Sequence, residues 1–128
     1  MTEPIVFISR NRLVAGKRAE WAAAYAAVVA MIGSGKPGTA VFAAYLDESG
    51  SLVSVIHVFP DAAAMTRHFE GSGERSGSVA DVITPLGFEI YGPAPPAAID
   101  QLRREAAASG ANLDLHLESF GGFLRSTL

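Results

Sequence analysis

The stretch Ala40-Val41-Phe42-Ala43-Ala44-Tyr45-Leu46-Asp47-Glu48-Ser49-Gly50-Ser51-Leu52-Val53-Ser54-Val55-Ile56-His57-Val58-Phe59 decides the fold. Two apolar runs flank Asp47-Glu48-Ser49-Gly50, residues that favour a tight turn, so the stretch reads as a β-hairpin. Neither run alternates cleanly between apolar and polar positions. A strand with one wet face shows that alternation, and a strand covered on both faces does not. Ile5-Val6-Phe7-Ile8 and Phe88-Glu89-Ile90-Tyr91 have the same two-sided character.

Working outward, a first strand covers about Pro4 to Arg10, and a helix runs from about Ala15 to Ile32, with Trp21, Tyr25, Val28 and Ile32 at helical spacing. Gly33-Ser34-Gly35-Lys36-Pro37-Gly38 ends it. After the hairpin, Asp61 is placed to cap a second helix through Met65 to Phe69. Gly71 to Ser78 reads as a mobile loop, followed by a short helix across Val79 to Ile83, and Thr84-Pro85 breaks the chain before the fourth strand. The order strand-helix-strand-strand-helix-strand predicts a ferredoxin-like α+β sandwich. Its helices cover one face of the sheet, and the second face is expected to pair with another copy of the chain. Residues 1–92 would form this domain, with 93–128 as an extension of it. Ala97 to Ser109 reads as a C-terminal helix. Leu113, Leu115 and Leu117 alternate with Asp114, His116 and Glu118, as in an edge strand. Gly121-Gly122-Phe123-Leu124 is expected to tuck an aromatic into a groove.

Bulk properties narrow the partners. The 128 residues are 49% hydrophobic and 18% charged, with a net charge of −3, which disfavours a nucleic-acid partner because phosphate binding needs a basic stripe. A mean hydropathy of +0.26 favours association. There is no cysteine, hence no disulfide, thiol nucleophile or thiolate metal site. No basic-then-apolar leader and no membrane-length apolar run is visible, so the expectation is a cytoplasmic protein with no membrane partner.

The stretches Phe7-Ile8-Ser9-Arg10-Asn11-Arg12-Leu13, Val58-Phe59-Pro60-Asp61-Ala62-Ala63-Ala64-Met65 and Pro85-Leu86-Gly87-Phe88-Glu89-Ile90-Tyr91-Gly92 resemble the dimeric α+β barrel superfamily, which includes antibiotic biosynthesis monooxygenases and related haem-degrading enzymes. The resemblance spans roughly the first 92 residues. It implies a homodimer that holds a small aromatic molecule between helices and sheet, and, in some members, oxidation of that molecule by dioxygen without a cofactor. In the haem-degrading branch an Asn ends the first strand, with an aromatic and then a His on the second helix. Asn11 matches the first position, His68 falls near the aromatic one, and no His follows in Gly71 to Ser78, which argues against haem degradation.

Three residues are candidates for chemistry. Asn11 can orient a carbonyl or an oxygen species, or instead cap the turn into the first helix. His57, mid-strand on the face of Val53, Val55 and Phe59, is a candidate general base or a hydrogen-bonded core histidine. His68 could line a pocket mouth or sit solvated on its helix. Trp21, Tyr25, Phe42, Tyr45, Phe69 and Tyr91 are candidate walls of an aromatic cavity, Tyr45 joining Asn11 in holding substrate oxygens. The many alanines of the first helix suit either close packing or a pocket. Asp114, His116 and Glu118 have the residue types of a metal site, but alternate strand positions are about 7 Å apart, wide for one ion without bending, and the trio reads rather as the solvated face of an edge strand. No cofactor or metal site is therefore expected. Two functions compete: a monooxygenase-like enzyme acting without a cofactor on a small aromatic or quinol substrate, and a non-catalytic homodimer serving as a ligand-binding or interaction module.

Overall fold

The computed structural model describes residues 3–125. Its elements run β1 (Ile5–Leu13), α1 (Arg18–Gly35), β2 (Val41–Leu46), β3 (Leu52–Phe59), α2 (Ala62–Phe69), α3 (Ser72–Val79), β4 (Ile83–Tyr91), α4 (Pro96–Ser109) and β5 (Asn112–His116). One sheet has the order β2-β3-β1-β4-β5. The first four strands pair antiparallel, as a ferredoxin-like sandwich requires, and β5 adds in parallel beside β4.

The β2–β3 turn closes through the Asp47 carboxylate, which accepts from the amides of Ser51 and Leu52 at 3.2 and 3.1 Å. Asp61 caps α2, its side chain accepting from the Ala64 amide at 2.8 Å. Four readings of the chain need correction. Ser72–Val79 is a helix, not a mobile loop, and no helix crosses Val79 to Ile83, because β4 already begins at Ile83 and carries Pro85 within it. The Gly- and Ser-rich α3 has little intrinsic preference for helix, and tertiary contacts hold it: Arg75 reaches back to α2 and Val79 packs into the core. β1 runs on to Leu13, so Asn11 lies inside the sheet at a register shift rather than capping a turn. In the tail, no aromatic is tucked away: Phe120 and Phe123 are 98% and 72% exposed.

Helices pack on one face of the sheet. There Ile5, Phe59, Met65, Ile90 and Leu102 form one buried cluster under α2 and α4, and Leu13, Trp21, Val53, Val55, Val82 and Ile83 form another. Each fully buried apolar side chain contributes about 1.5–3 kcal/mol. The alanines Ala22, Ala23, Ala26 and Ala27 of α1 point to neither cluster and are exposed. Leu113 and Leu115 of β5 pack on the first cluster.

The opposite face carries no helix. Val6, Val58 and Val41 stand side by side across three strands, as do Ile8, Ile56 and Ala43. These side chains are half-buried by their neighbours, and Val41 is exposed. Beside them Arg10 pairs with Glu89, whose carboxylate also accepts from the Tyr91 hydroxyl at 2.7 Å. Among the described residues, no helix is long and apolar enough to cross a membrane, and no group of three acidic, His or Cys side chains could hold a metal ion.

Candidate functional site

Between the two core clusters the helices stand away from the sheet and leave a cavity of about 430 Å³. That volume lies within the usual range of small-molecule sites. Alternation along the strands aims Phe7, Ser9 and Asn11 of β1, Phe42 of β2, and Val55 and His57 of β3 into it. Trp21 and Tyr25, four residues apart, face it from α1; His68 and Phe69 close it from α2, and Arg75 from α3. Gln101 and Glu105 border it from α4.

The sheet registers explain the grouping. Phe7 and Phe42 are both paired with His57, so all three side chains share the covered face. His57 stacks on Phe7 with ring centroids 4.5 Å apart, and the His68 ring meets it edge-on at 5.1 Å. Tyr25 bridges Trp21 and Phe42, at 5.0 and 5.5 Å. Of the candidate walls, Trp21, Tyr25, Phe42 and Phe69 line the cavity together with Asn11, His57 and His68. Tyr45 and Tyr91 do not. Tyr45 is 65% exposed on the open face, and Tyr91 stacks there on His116 at 4.6 Å. Tyr45 is three on from Phe42 and Tyr91 one on from Ile90, odd steps along a strand, so each projects opposite to its covered neighbour.

Both histidines are buried and neutral at pH 7. His57 donates from Nδ1 to the Phe7 carbonyl at 3.0 Å, leaving Nε2 with no hydrogen-bond partner among the described residues. Burial pushes its pKa down to about 4, partly opposed by the Phe7 hydrogen bond. His68 Nδ1 shares a hydrogen bond of 2.8 Å with Thr39 Oγ1. Its pKa is pushed down to about 3 by burial first, then by His57, Arg75 and Lys36. The Asn11 amide nitrogen donates to the Ser9 and Val53 carbonyls at 3.3 and 3.4 Å and to Ser9 Oγ at 3.2 Å. This fixes the orientation of the amide and leaves Oδ1 without a donor among the described residues. The adjacent register shift is a common device for re-aiming a side chain at a site. The Tyr25 hydroxyl is buried with no partner, and burial raises its pKa to about 12.

Arg75, Gln101 and Glu105 were not among the residues picked out from sequence. Within α3 the spacing Ser72, Arg75, Ser76, Val79 is helical and would have placed Arg75 on the inward face of that helix.

No protein-family model matches the chain, and no curated protein matches it. Solved structures do. MupZ from Pseudomonas fluorescens superposes with a TM-score of 0.67 at 17% identity, over 95% of this chain and 91% of that one. A Caulobacter crescentus protein provisionally assigned as an antibiotic biosynthesis monooxygenase matches with a TM-score of 0.62 at 14% identity, over 70% and 88%. The chain shares its fold with these two proteins. SnoaB from Streptomyces nogalater, a cofactor-independent oxygenase, has the same fold, with a TM-score of 0.60 at 16% identity over 70% of this chain and 92% of its own. The superposition on MupZ covers enough of the chain to take in α4 and β5.

Proposed function

We propose that the chain oxidises a small aromatic or quinol molecule with dioxygen, without a cofactor, inside this cavity. One observation carries the reading: two neutral imidazoles and the free carbonyl of Asn11 are gathered in a cavity otherwise walled by aromatic rings. Fused rings can stack between Phe7, Phe42 and Trp21, and Asn11 Oδ1 can accept from a substrate hydroxyl.

For an anthrone-type substrate, His57 or His68 takes a proton from the activated CH₂ carbon. An imidazolium is costly in this site, but it forms beside a carbanion whose charge offsets the cost. The carbanion passes one electron to dioxygen, and the carbon radical and superoxide couple to form a C–O bond. The resulting peroxide takes the proton back from the imidazolium. Loss of the second C–H proton then breaks the O–O bond and expels water, giving the ketone. In balance, CH₂ and O₂ become C=O and H₂O. The apolar wall keeps bulk water from the carbanion.

The test follows oxygen uptake with anthrone-like and quinol substrates. A general base contributes about 10²–10⁴-fold, so a His57→Ala, His68→Ala double variant that keeps its circular dichroism should lose at least about a hundredfold in rate. Equal uptake by wild type and variant would refute the chemistry.

We infer also that a second copy covers the open face. The two apolar rows across β1, β3 and β2 carry no charge, and burial of about 800 Å² per partner is ordinary for a stable dimer. Sedimentation at micromolar concentration should show a dimer, and a monomer there would overturn this.

A further inference from the structure

Arg75 is 9% exposed and borders the cavity. Its guanidinium donates to two backbone carbonyls at the end of α2, Glu70 at 3.0 Å and His68. Those bonds anchor it and satisfy the helix end, but a carbonyl is not a counter-charge. Among the described residues, ion pairs join Arg10 to Glu89 and Lys17 to Glu20, and no carboxylate pairs with Arg75. Glu105 borders the same cavity from α4 and makes no ion pair with it. A buried cation without a partner is costly to the fold, which makes it a marker of a site completed by a ligand.

The turn before α3 lies against it: Gly71 has φ +78°, a conformation that favours glycine, and a Cβ there would touch Arg75 Nη1 at 3.4 Å. Ser76, the next residue of α3, also lines the cavity and makes no side-chain hydrogen bond among the described residues. The cation thus borders the same aromatic-walled space as the Ser76 hydroxyl and the two neutral imidazoles.

We propose that the molecule bound in this cavity is an aromatic acid, its carboxylate held by Arg75 and its rings lying between Phe7, Phe42 and Trp21. The proposal rests on the preceding section for the site and names its substrate class; it needs no step of the oxidation. A guanidinium matches the planar carboxylate with paired N–H donors, and the bond is stronger in a site shielded from water. The same charge depresses the pKa of both histidines, which an arriving carboxylate would partly reverse. Binding of the acid group would therefore raise the basicity of the imidazoles.

Trp21 is the single tryptophan of the chain and a wall of the cavity, so its fluorescence reports occupancy without turnover. The probes are 2-naphthoate and its neutral isostere 2-naphthamide, titrated against wild type and against Arg75→Met and Arg75→Lys. Wild type should bind the naphthoate at least about tenfold more tightly than the amide, Arg75→Met should abolish the preference, and Arg75→Lys should keep part of it. Equal affinity of wild type for the two probes, or no binding of either at millimolar concentration, would overturn the proposal; this arm needs no variant to fold. A naphthoate preference in a protein that consumes no oxygen would refute the oxidation and support the aromatic-acid site.

Discussion

Lowering the pH from 7 to 5 should destabilise the fold by about 2 kcal/mol through His57 alone. His57 is buried with a pKa pushed down to about 4, against about 6.5 for an exposed imidazole in the unfolded chain. The folded protein therefore binds fewer protons than the unfolded one between these values. The stability owed to the neutral imidazole is present above pH 6.5 and is lost as pH falls towards 4. The whole gap is worth about 3 kcal/mol at about 1.4 kcal/mol per pH unit, and about 2 kcal/mol of it is gone by pH 5. His68, held low for related reasons, adds loss in the same direction. Asp47 and Glu89 have lowered pKa values and act only at more acid pH, while Glu105, raised by burial, acts with the opposite sign. Urea unfolding at constant protein concentration and ionic strength measures the effect. With a slope of about 2 kcal/mol per molar urea, the midpoint should fall by about 1 M between pH 7 and pH 5. An unchanged midpoint, or the same fall in a His57→Phe, His68→Phe double variant, would refute the reasoning and with it the view of these imidazoles as desolvated bases.

Other perturbations test other parts. Tyr25→Phe removes a buried hydroxyl with no partner and should leave the stability measured by urea unfolding unchanged or raise it by up to about 1 kcal/mol. Gly92→Ala should lower the melting temperature by several degrees, a cost of about 2 kcal/mol: Gly92 sits at φ +109°, and its new Cβ would stand 2.8 Å from the Pro4 carbonyl oxygen. Asp61→Ala removes the cap of α2 and should cost about 1 kcal/mol in urea unfolding, since α2 carries His68 and Phe69 into the cavity wall.

Much of the fold was legible from local chemistry. Asp47 and Gly50 write the hairpin, Asp61 starts α2, and Trp21, Val28 and Ile32 mark the buried stripe of α1. Parity alone placed His57 with Val53, Val55 and Phe59, because successive strand residues must point to opposite faces. The two-sided apolar character of β2 and β3 announced an open face, which the structure leaves bare of helices.

The same two-sided character hid which tyrosines reach the cavity. Where both faces of a strand are apolar, nothing local says which one the helices cover, and only the pairing of Phe42 with His57 put Tyr45 on the far side. Arg75 was hidden for a second reason: a Gly- and Ser-rich segment has too little intrinsic helix preference to declare itself, and α3 exists because of what it touches. Local residue chemistry therefore determined most of the elements and their order, while cross-strand register and long-range packing determined α3 and which side chains share the cavity. Turns and caps depend on neighbours in the chain; a site depends on neighbours in space.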